Sequence, residues 1–389
     1  MKRTFASPIL VCAICLCAPV AAWATTIPTV PVGNAGNGND PLTGNLYGGV
    51  SYDYRICTTE VTNAQYADFL NAKAASDPLG LYHASMGFSA GGITKSGVSG
   101  SFTYAPKTNM ADKPVNYVSW YDSIRFANWL NNGQGTGDTE AGAYTLLGGT
   151  ATPTNGLSIT RNGGATWFLT SEDEWYKTAY HQPAAQGGDS DDYWLYPTGS
   201  NSVPTVATAD SVGNISNPGS NVANYLSGAD WNSQDGNVTT VGSAGPLSES
   251  FYDTSDQGGN VWEWNEALIG GSFRGLRGGA YFNPSSDLQQ SSARYSTGNP
   301  RLEGSGIGFR VATVPEPSTA VLAIVGLGFG LLCMWRQRRV AARLALVALA
   351  ACLAGVSSAS AVTIPTVPVG NVGNAADTTV MVTDGTSGY

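Results

Sequence analysis

Residues 256–264 are Asp256-Gln257-Gly258-Gly259-Asn260-Val261-Trp262-Glu263-Trp264, and Arg274-Gly275-Leu276-Arg277-Gly278-Gly279-Ala280-Tyr281 follows shortly after them. The first stretch combines two tryptophans, two acids and a glycine pair, which is too rich for an ordinary turn. Carboxylates and exposed backbone carbonyls are the ligands that a hard cation such as Ca²⁺ prefers. The pattern therefore predicts a packed loop that can hold an ion, with Trp262 and Trp264 as its buried walls.

Four further stretches complete a set of motifs with that loop. They are Glu60–Tyr66, Pro114–Trp120, Trp167–Tyr176 and Gly306–Arg310. Together the motifs resemble the formylglycine-generating enzyme family, also called the sulfatase-modifying-factor family, over most of the chain. The resemblance implies a C-type-lectin-like fold with little regular secondary structure. It also implies an oxidase that converts a sulfatase cysteine to formylglycine.

Helix-start signals occur at three places in the sequence. Thr62 and Ser171 each precede a Gln or Glu by three positions, which is the spacing of a capping box. Ser119 is a third candidate N-cap, and Gly133 suits the end of the helix that it begins. Elsewhere, short apolar runs are broken by Gly, Asn and Ser without strand–helix–strand periodicity. The sequence therefore predicts an α+β protein, loop-rich with short helices and small antiparallel sheets.

Composition limits the classes of function. The chain has 389 residues and is 42% hydrophobic, so it can bury a sizeable core. Its formal net charge of −9 argues against nucleic-acid binding, because that function needs a basic surface. Cys57 is the one cysteine outside the apolar terminal segments, and it is predicted to be a small buried residue. The two histidines, His83 and His181, are too few for a three-histidine metal site and are predicted to lie in loops or at the surface.

Five segments are predicted along the chain. Residues 1–24 have a basic start, an apolar run and a small-residue end, which is the layout of a secretory signal peptide. Residues 25–50 are rich in Gly, Pro and Asn and are predicted to be an unpacked linker. Residues 51–313 form the folded body, residues 314–339 form a sorting tail, and residues 340–389 form a separate segment.

The tail begins with Val314-Pro315-Glu316-Pro317-Ser318 and continues with an uncharged apolar run from Thr319 to Met334, before a basic cluster. The run is just long enough to span a bilayer, with the basic cluster on the cytoplasmic side. This tail resembles the PEP-CTERM sorting signal. The resemblance implies processing by a membrane protease, exosortase, after transient anchoring in the inner membrane by a C-terminal transmembrane helix. It also implies a final location in the envelope or extracellular matrix of a Gram-negative, exopolysaccharide-producing bacterium.

A second signal-like pattern follows the tail. An apolar run from Leu344 to Val356 leads to Ala359-Ser360-Ala361, and Thr363–Asn371 then repeats Thr26–Asn34 residue for residue. Residues 340–389 are interpreted as the truncated start of a tandem paralogue joined to this chain. The alternative is a hairpin anchor with two membrane spans, although the second run is short for a span.

The family resemblance also implies two structural calcium sites, each made of two side chains and two backbone carbonyls. The first site would use the side chains of Asp256 and Glu263 and the carbonyls of Gly259 and Val261. The second would use the side chains of Asn224 and Asp235 and the carbonyls of Tyr225 and Asn237. Oxygen ligands of this kind suit Ca²⁺. The alternative is that these acids are solvated loop residues.

The family's oxidase chemistry needs two cysteines shortly after the Gly-Gly-x-Tyr motif, where they bind Cu(I). Cu(I) is a soft ion that prefers thiolate ligands. In this chain the two positions fall on Asn283 and Leu288, and a serine of the family's active site falls on Ala280. No copper and no formylglycine formation are therefore expected.

Binding is the function that remains. Four aromatic residues in polar loops are predicted to face a ligand: Tyr193, Trp194, Tyr196 and Trp231. Aromatic faces beside Asn and Asp suit a carbohydrate or the exposed peptide of a partner. The leading hypothesis is an exported, non-catalytic binding module for a carbohydrate or protein ligand. The alternative is a formylglycine-generating oxidase, or another oxidase on the same fold, that uses a different metal constellation.

Overall fold

The computed structural model describes residues 24–314, which contain three α-helices and eleven short strands. The helices are α1 (Asn63–Lys73), α2 (Trp120–Asn131) and α3 (Glu172–Tyr180). The strands are β1 (Thr29–Val32), β2 (Tyr54–Cys57), β3 (Ile93–Ser96), β4 (Thr103–Pro106), β5 (Trp167–Leu169), β6 (Thr205–Val206), β7 (Val222–Ala223), β8 (Trp262–Ile269), β9 (Phe273–Arg277), β10 (Ile307–Phe309) and β11 (Val311–Thr313). Few helices and small sheets confirm the mixed, loop-rich architecture.

Each α-helix begins at a capping box. The N-cap residues Thr62, Ser119 and Ser171 accept a hydrogen bond from the backbone N–H three residues later. The reciprocal bonds to the N-cap backbone are made by the side chains of Gln65, Asp122 and Glu174. These pairs satisfy N–H groups that an isolated helix start leaves free. The three predicted helix starts are confirmed, and Gly133, with a φ of 77°, follows the end of α2 as expected.

The largest sheet corrects the prediction that residues 25–50 are an unpacked linker. Its strand order is β1-β2-β11-β5, and all its pairings are antiparallel. Val32 of β1 is 1% exposed, so this strand buries apolar surface. Beyond β1, Asn37 donates from Nδ2 to Gly48 O at 2.7 Å and to the Tyr193 hydroxyl at 2.7 Å. The segment therefore belongs to the folded body.

The second sheet has the order β10-β8-β9, and its strand β8 contains the Trp262-Glu263-Trp264 end of the motif at residues 256–264. β8 pairs in parallel with β10, with Trp262 opposite Ile307, and antiparallel with β9. Trp262 is 5% exposed and Trp264 is fully buried, which confirms that both belong to the core. Trp264 Nε1 donates to Val118 O at 3.0 Å, so its burial leaves no unpaired N–H. Two two-stranded sheets, β3-β4 and β6-β7, hold the outer loops.

Several predicted segments lie outside the described residues. These are the signal peptide apart from Ala24, the sorting tail beyond Val314 with its predicted transmembrane helix, and residues 340–389. Within residues 24–314, no helix has the length and apolar character needed to cross a bilayer.

Candidate functional site

The acid of the motif on β8, Glu263, is fully buried and paired with Arg310. Arg310 follows β10 directly, and the parallel pairing of β10 with β8 brings the two side chains together. Arg310 Nε donates to Glu263 Oε2 at 2.6 Å, and Arg310 Nη2 donates to Glu263 Oε1 at 2.6 Å. Trp175 Nε1 adds a bond to Glu263 Oε2 at 2.7 Å. Bidentate pairs of this kind are strong and geometrically specific.

Two further acids lie close to this pair. Glu60 is 1% exposed, and its Oε1 accepts from Asn260 Nδ2 at 3.1 Å while its Oε2 has no partner. Burial raises the pKa of Glu60 well above its usual value, and the negative charges of Asp256 and Glu263 raise it further. Burial likewise raises the pKa of Asp256 to about 6. Three carboxyl groups therefore lie near one guanidinium, and Glu60 and Asp256, which lack a cationic hydrogen-bond partner, keep a proton to higher pH than usual.

The first predicted calcium set fits an ion only in part. Both oxygens of Glu263 are held by Arg310, so a cation there would meet a buried positive charge. Asp256 already accepts from the backbone N–H of Gly242 through Oδ2 at 2.5 Å. As arranged, Arg310 supplies the positive charge that calcium would supply. Sequence reasoning missed Glu60 and Arg310 as partners, although both lie within the quoted family motifs.

The second predicted calcium set fits better. Asn224 is 2% exposed, and its Oδ1 is buried without a hydrogen-bond partner. Its Nδ2 donates to the carbonyl of Asn237 at 2.9 Å, which brings two predicted ligands together. Asp235 is exposed, and the Tyr225 carbonyl accepts from Gly228 N at 3.2 Å. An orphaned buried oxygen beside backbone carbonyls is a suitable start for a Ca²⁺ shell.

Metal sites built on several acids or histidines are a separate case from these amide and carbonyl sets. In the portion from Ala24 to Val314, no group of three or more His, Cys, Asp and Glu side chains is arranged to hold a metal ion. The Asn224 set contains a single carboxylate, Asp235, and depends on amide and backbone oxygens instead. The absence of such groups therefore concerns metal centres made of thiolates, imidazoles or several carboxylates. The Asn224 set, which uses amide and backbone oxygens, stays a prediction.

The two predicted positions of the copper cysteines lie beside the same glycine. A Cβ built at Gly279 would meet Asn283 Oδ1 at 3.3 Å and Leu288 O at 3.5 Å. Asn283 is a turn residue here, because its Oδ1 accepts from the Ala280 N–H at 2.5 Å. Its carbonyl also accepts from Leu226 N at 2.9 Å. The fold thus brings the two positions together, but they carry an amide and an isobutyl group instead of thiols.

Cys57 does not replace the missing thiols. It lies in β2 and is buried, as the sequence predicted. Burial raises the pKa of its thiol to about 12, so the reactive thiolate is scarce at neutral pH.

The predicted ligand-facing aromatics are mostly core residues, which corrects that prediction. Tyr193, Tyr196 and Trp231 are 2%, 1% and 5% exposed, and only Trp194 is half-buried. Tyr193 is covered by the N-terminal segment, where its hydroxyl donates to Gly38 O at 2.7 Å. Trp231 Nε1 donates to Val238 O at 2.9 Å, so it faces inward. The polar neighbours that suggested exposure are the hydrogen-bond partners that permit burial.

The histidines also differ in part from the prediction. His181 is 3% exposed, and its Nδ1 lies 2.8 Å from the Tyr252 hydroxyl. Burial lowers the pKa of His181 to about 4, so it is neutral at physiological pH. His83 is half-buried, at the start of a short 3₁₀ turn.

An exposed apolar pair adjoins the Asn283 turn. Phe282 is 44% exposed and Leu226 is 50% exposed. Leu226 and Ser227 have φ values of 58° and 51°, a left-handed conformation that is unfavourable for a residue such as leucine. Their N–H groups are fixed by the carbonyls of Asn283 and Tyr281, at 2.9 and 2.8 Å. Strained backbone held in this way is concentrated at functional sites.

Comparison with known proteins gives two family matches. The profile of the sulfatase-modifying factor enzyme 1-like domain matches residues 29–314, and the PEP-CTERM protein-sorting motif matches residues 313–339. No curated protein sequence matches this chain.

Several solved structures are similar to the chain. One is CarF, at 22% identity and a TM-score of 0.45, which covers 75% of this chain and 99% of CarF. Another is Treponema denticola variable protein 1, at 18% identity and a TM-score of 0.44, which covers 75% of this chain and 98% of that one. A third is PvdO from Pseudomonas aeruginosa, at 17% identity and a TM-score of 0.37, with coverages of 68% and 82%.

The profile match covers nearly the whole region that folds into the β8 motif, the capped helices and the Asn283 turn. The sorting motif begins where that region ends and indicates export to the cell envelope or beyond, through an exosortase-type pathway. The protein belongs to the sulfatase-modifying-factor domain family and carries a PEP-CTERM sorting signal.

Proposed function

We propose that this exported domain binds a ligand and does not oxidise cysteine. The observation that carries the proposal is the chemistry at Asn283 and Leu288. Cu(I) needs thiolates, and neither an amide nor an aliphatic side chain replaces them. Asn283 is also committed to its own turn through the Ala280 N–H. Asn283 therefore has a structural role where the oxidase would need a metal ligand.

The proposed ligand is a carbohydrate or a protein segment on the face that contains Phe282 and Leu226. What supports this face is its exposed apolar pair on a fixed, strained backbone. Aromatic side chains that remain exposed suit the apolar face of a sugar ring or a peptide side chain. The C-type-lectin-like architecture implied by the family is compatible with either ligand, as an analogy from fold.

The proposal includes one structural calcium ion at the Asn224 set. Asn224 Oδ1 and Asp235 would bind it together with the carbonyls of Tyr225 and Asn237. The ion would supply positive charge to a loop whose buried amide oxygen otherwise has no partner. Its role is to order the segment that leads to Leu226, one residue beyond the Tyr225 carbonyl.

The proposed route to the cell surface has two cleavages. The signal peptide is removed after Ala24, and the chain is anchored through the apolar run that starts at Thr319 until exosortase cleaves near Pro317. Mass spectrometry of surface protein tests this route. An intact species that extends from the signal peptide to Tyr389 would contradict it.

The activity test uses the full chain with copper, oxygen and a Cys-x-Pro-x-Arg peptide. The expected result is an unmodified cysteine. Conversion of that cysteine to an aldehyde would establish the oxidase alternative instead.

The binding test measures retention of the full chain on an array of purified bacterial exopolysaccharides and on immobilised envelope proteins. The Phe282→Ser variant is expected to lose binding. Phe88→Ser is the matched control, because Phe88 is 69% exposed elsewhere on the surface. Equal binding by both variants would refute the proposed face.

A further inference from the structure

A small cleft lies against the loop that contains Asp256. Its polar lining includes the carboxylate of Asp256 and four hydroxyl side chains, those of Thr198, Ser248, Thr254 and Ser255. The free space inside it fits about one group of the size of a water molecule. None of the four hydroxyl residues belongs to the predicted calcium sets or to the face with Phe282. The cleft therefore adds polar groups that no other proposal uses.

Each of the four hydroxyls already donates its proton to another acceptor. The bonds run from Thr198 Oγ1 to Asn221 Oδ1 at 2.6 Å, from Ser248 Oγ to Gly219 O at 2.6 Å, from Thr254 Oγ1 to Gln257 Oε1 at 2.5 Å and from Ser255 Oγ to Glu249 Oε1 at 3.1 Å. A hydroxyl has one proton and two lone pairs, so these oxygens can still accept but not donate. The hydroxyls of the cleft therefore offer acceptors to a bound group and select one that donates.

The charges around the cleft favour a cation. Asp256 accepts from the backbone N–H of Gly242, and Glu249 accepts from the Ser255 hydroxyl. Within residues 24–314, neither acid forms an ion pair with a basic side chain. Arg310 lies behind the cleft, where it donates to the Ser255 carbonyl at 2.9 Å, but the bidentate pair with Glu263 compensates its charge. Two carboxylates therefore remain for a positively charged donor.

Size and surroundings select the kind of cation. An ammonium group is compact and has three donors and no acceptor, whereas a guanidinium is planar and larger. Leu247 is 69% exposed and lies between Gly245 and Ser248, which both line the cleft. The methylene stem of a lysine packs well on apolar surface of this kind, whereas an amino group on a sugar ring would bring a ring too large for the space. We propose that the cleft binds the ammonium group of a lysine from a protein partner, next to Asp256, with its stem against Leu247.

The test titrates the full chain with capped tripeptides, followed by saturation-transfer NMR, in the presence of a chelator that removes calcium. The probes are Gly-Lys-Gly, Gly-Arg-Gly and Gly-Lys-Gly acetylated on the lysine side chain, with a glucosamine oligomer as competitor. Asp256→Asn is the test variant, because Asn keeps an acceptor for the Gly242 N–H and tolerates the φ of 62°. Asp253→Asn is the matched control, because Asp253 has a similar φ of 58° in the same loop but is exposed and does not line the cleft.

The expected result is saturable binding of Gly-Lys-Gly, with affinity for the arginine and acetyl-lysine peptides lower by about tenfold or more, because each loses the fit or the charge. Asp256→Asn should weaken binding of the lysine peptide by a similar factor, and Asp253→Asn should leave it unchanged. The comparison of the three peptides needs no variant, so it decides the proposal even if Asp256→Asn unfolds. Equal binding of the lysine and arginine peptides, no saturable binding of the lysine peptide, or its full displacement by the glucosamine oligomer would each overturn the proposal.

Discussion

The pairing of Arg310 with Glu263 gives the most informative test of the site. Both side chains are fully buried, and Arg310 also donates to the carbonyls of Cys57 and Ser255. Arg310→Met removes these bonds and leaves a buried carboxylate without its counter-charge. Breaking a buried pair from one side typically costs about 3–5 kcal/mol. The folded region of about 290 residues should unfold with an entropy of about 0.6 kcal/mol/K, so the melting temperature should fall by roughly 5–8 °C.

The matched variants separate the contribution of the Arg310–Glu263 pair to stability from that of calcium. Glu263→Gln keeps an acceptor for Trp175 and removes the charge, and the double variant Glu263→Gln with Arg310→Met should lose less than the sum of the single losses. Asp253→Asn is the control, because Asp253 is exposed and Asn tolerates its φ of 58°.

The assay is thermal unfolding of each variant with and without a strong chelator. If calcium binds at the Asn224 set, Asp235→Asn should remove the chelator effect at little structural cost, and Glu263→Gln should leave it unchanged. A ligand at 100 times its dissociation constant contributes about 2.7 kcal/mol, which such an assay resolves. A loss below about 1 kcal/mol in Arg310→Met would refute the buried-pair reasoning. If Glu263→Gln alone abolished the chelator effect, the calcium site would have to be assigned to the set with Asp256 and Glu263 instead.

Three further predictions test the charge, packing and metal arguments. Burial raises the pKa of Glu303 from 4.5 to about 8, so its stabilising contribution is complete at low pH and is lost as pH rises through that range. Glu303→Gln should therefore flatten the fall in melting temperature between pH 5 and pH 8, and an unchanged slope would contradict the shift. Trp264→Ala should lower the free energy of unfolding, measured with denaturant, by about 3–5 kcal/mol. Trp194→Ala, at a half-buried position, should lower it clearly less, and similar losses would contradict the assigned burial. Asn283→Cys combined with Leu288→Cys should bind Cu(I) in competition with a chromogenic chelator, whereas each single variant should not. Copper binding by the unmodified chain would refute the premise.

Local signals in the sequence were enough for the helix starts. The hydrogen bonds of a capping box join residues three apart, so Thr62, Ser119 and Ser171 mark their helices without long-range information. Trp264 was also predictable, because a large aromatic next to an acid and a glycine pair has few exposed alternatives. These features depend on neighbours along the chain.

The features that sequence missed depend on distant partners. β1 lies in a segment of linker-like composition and becomes a strand only because β2 pairs with it. Tyr193 has polar neighbours in sequence, but Gly38, from the far end of the chain, covers it. Glu60 and Arg310 meet at one site although the chain separates them by most of the domain. Composition and spacing do not specify such contacts.

The loops of this domain are held largely by buried amide side chains. Asn63 Nδ2 donates to three carbonyls between Met110 and Pro114, and Asn128 binds both the N–H and the carbonyl of Tyr144. An amide can satisfy a donor and an acceptor together, which replaces the bonds that a regular strand would make. Asn283 stabilises its turn in the same way, since its Oδ1 accepts from the Ala280 N–H.

At the position where the family resemblance places a copper-binding cysteine, Asn283 therefore supplies a loop contact. A thiol is a weak acceptor, so cysteine at position 283 would leave the buried Ala280 N–H poorly paired, at a cost of about 1–3 kcal/mol. The Leu288 position has no such bond to lose, and its side chain packs against the core. Restoring the metal site should thus weaken the turn mainly through Asn283→Cys, and Cu(I) should recover that stability in the double variant alone. Since the carbonyl of Asn283 fixes the backbone of Leu226, the proposed binding face and a copper site would make opposing demands on residue 283.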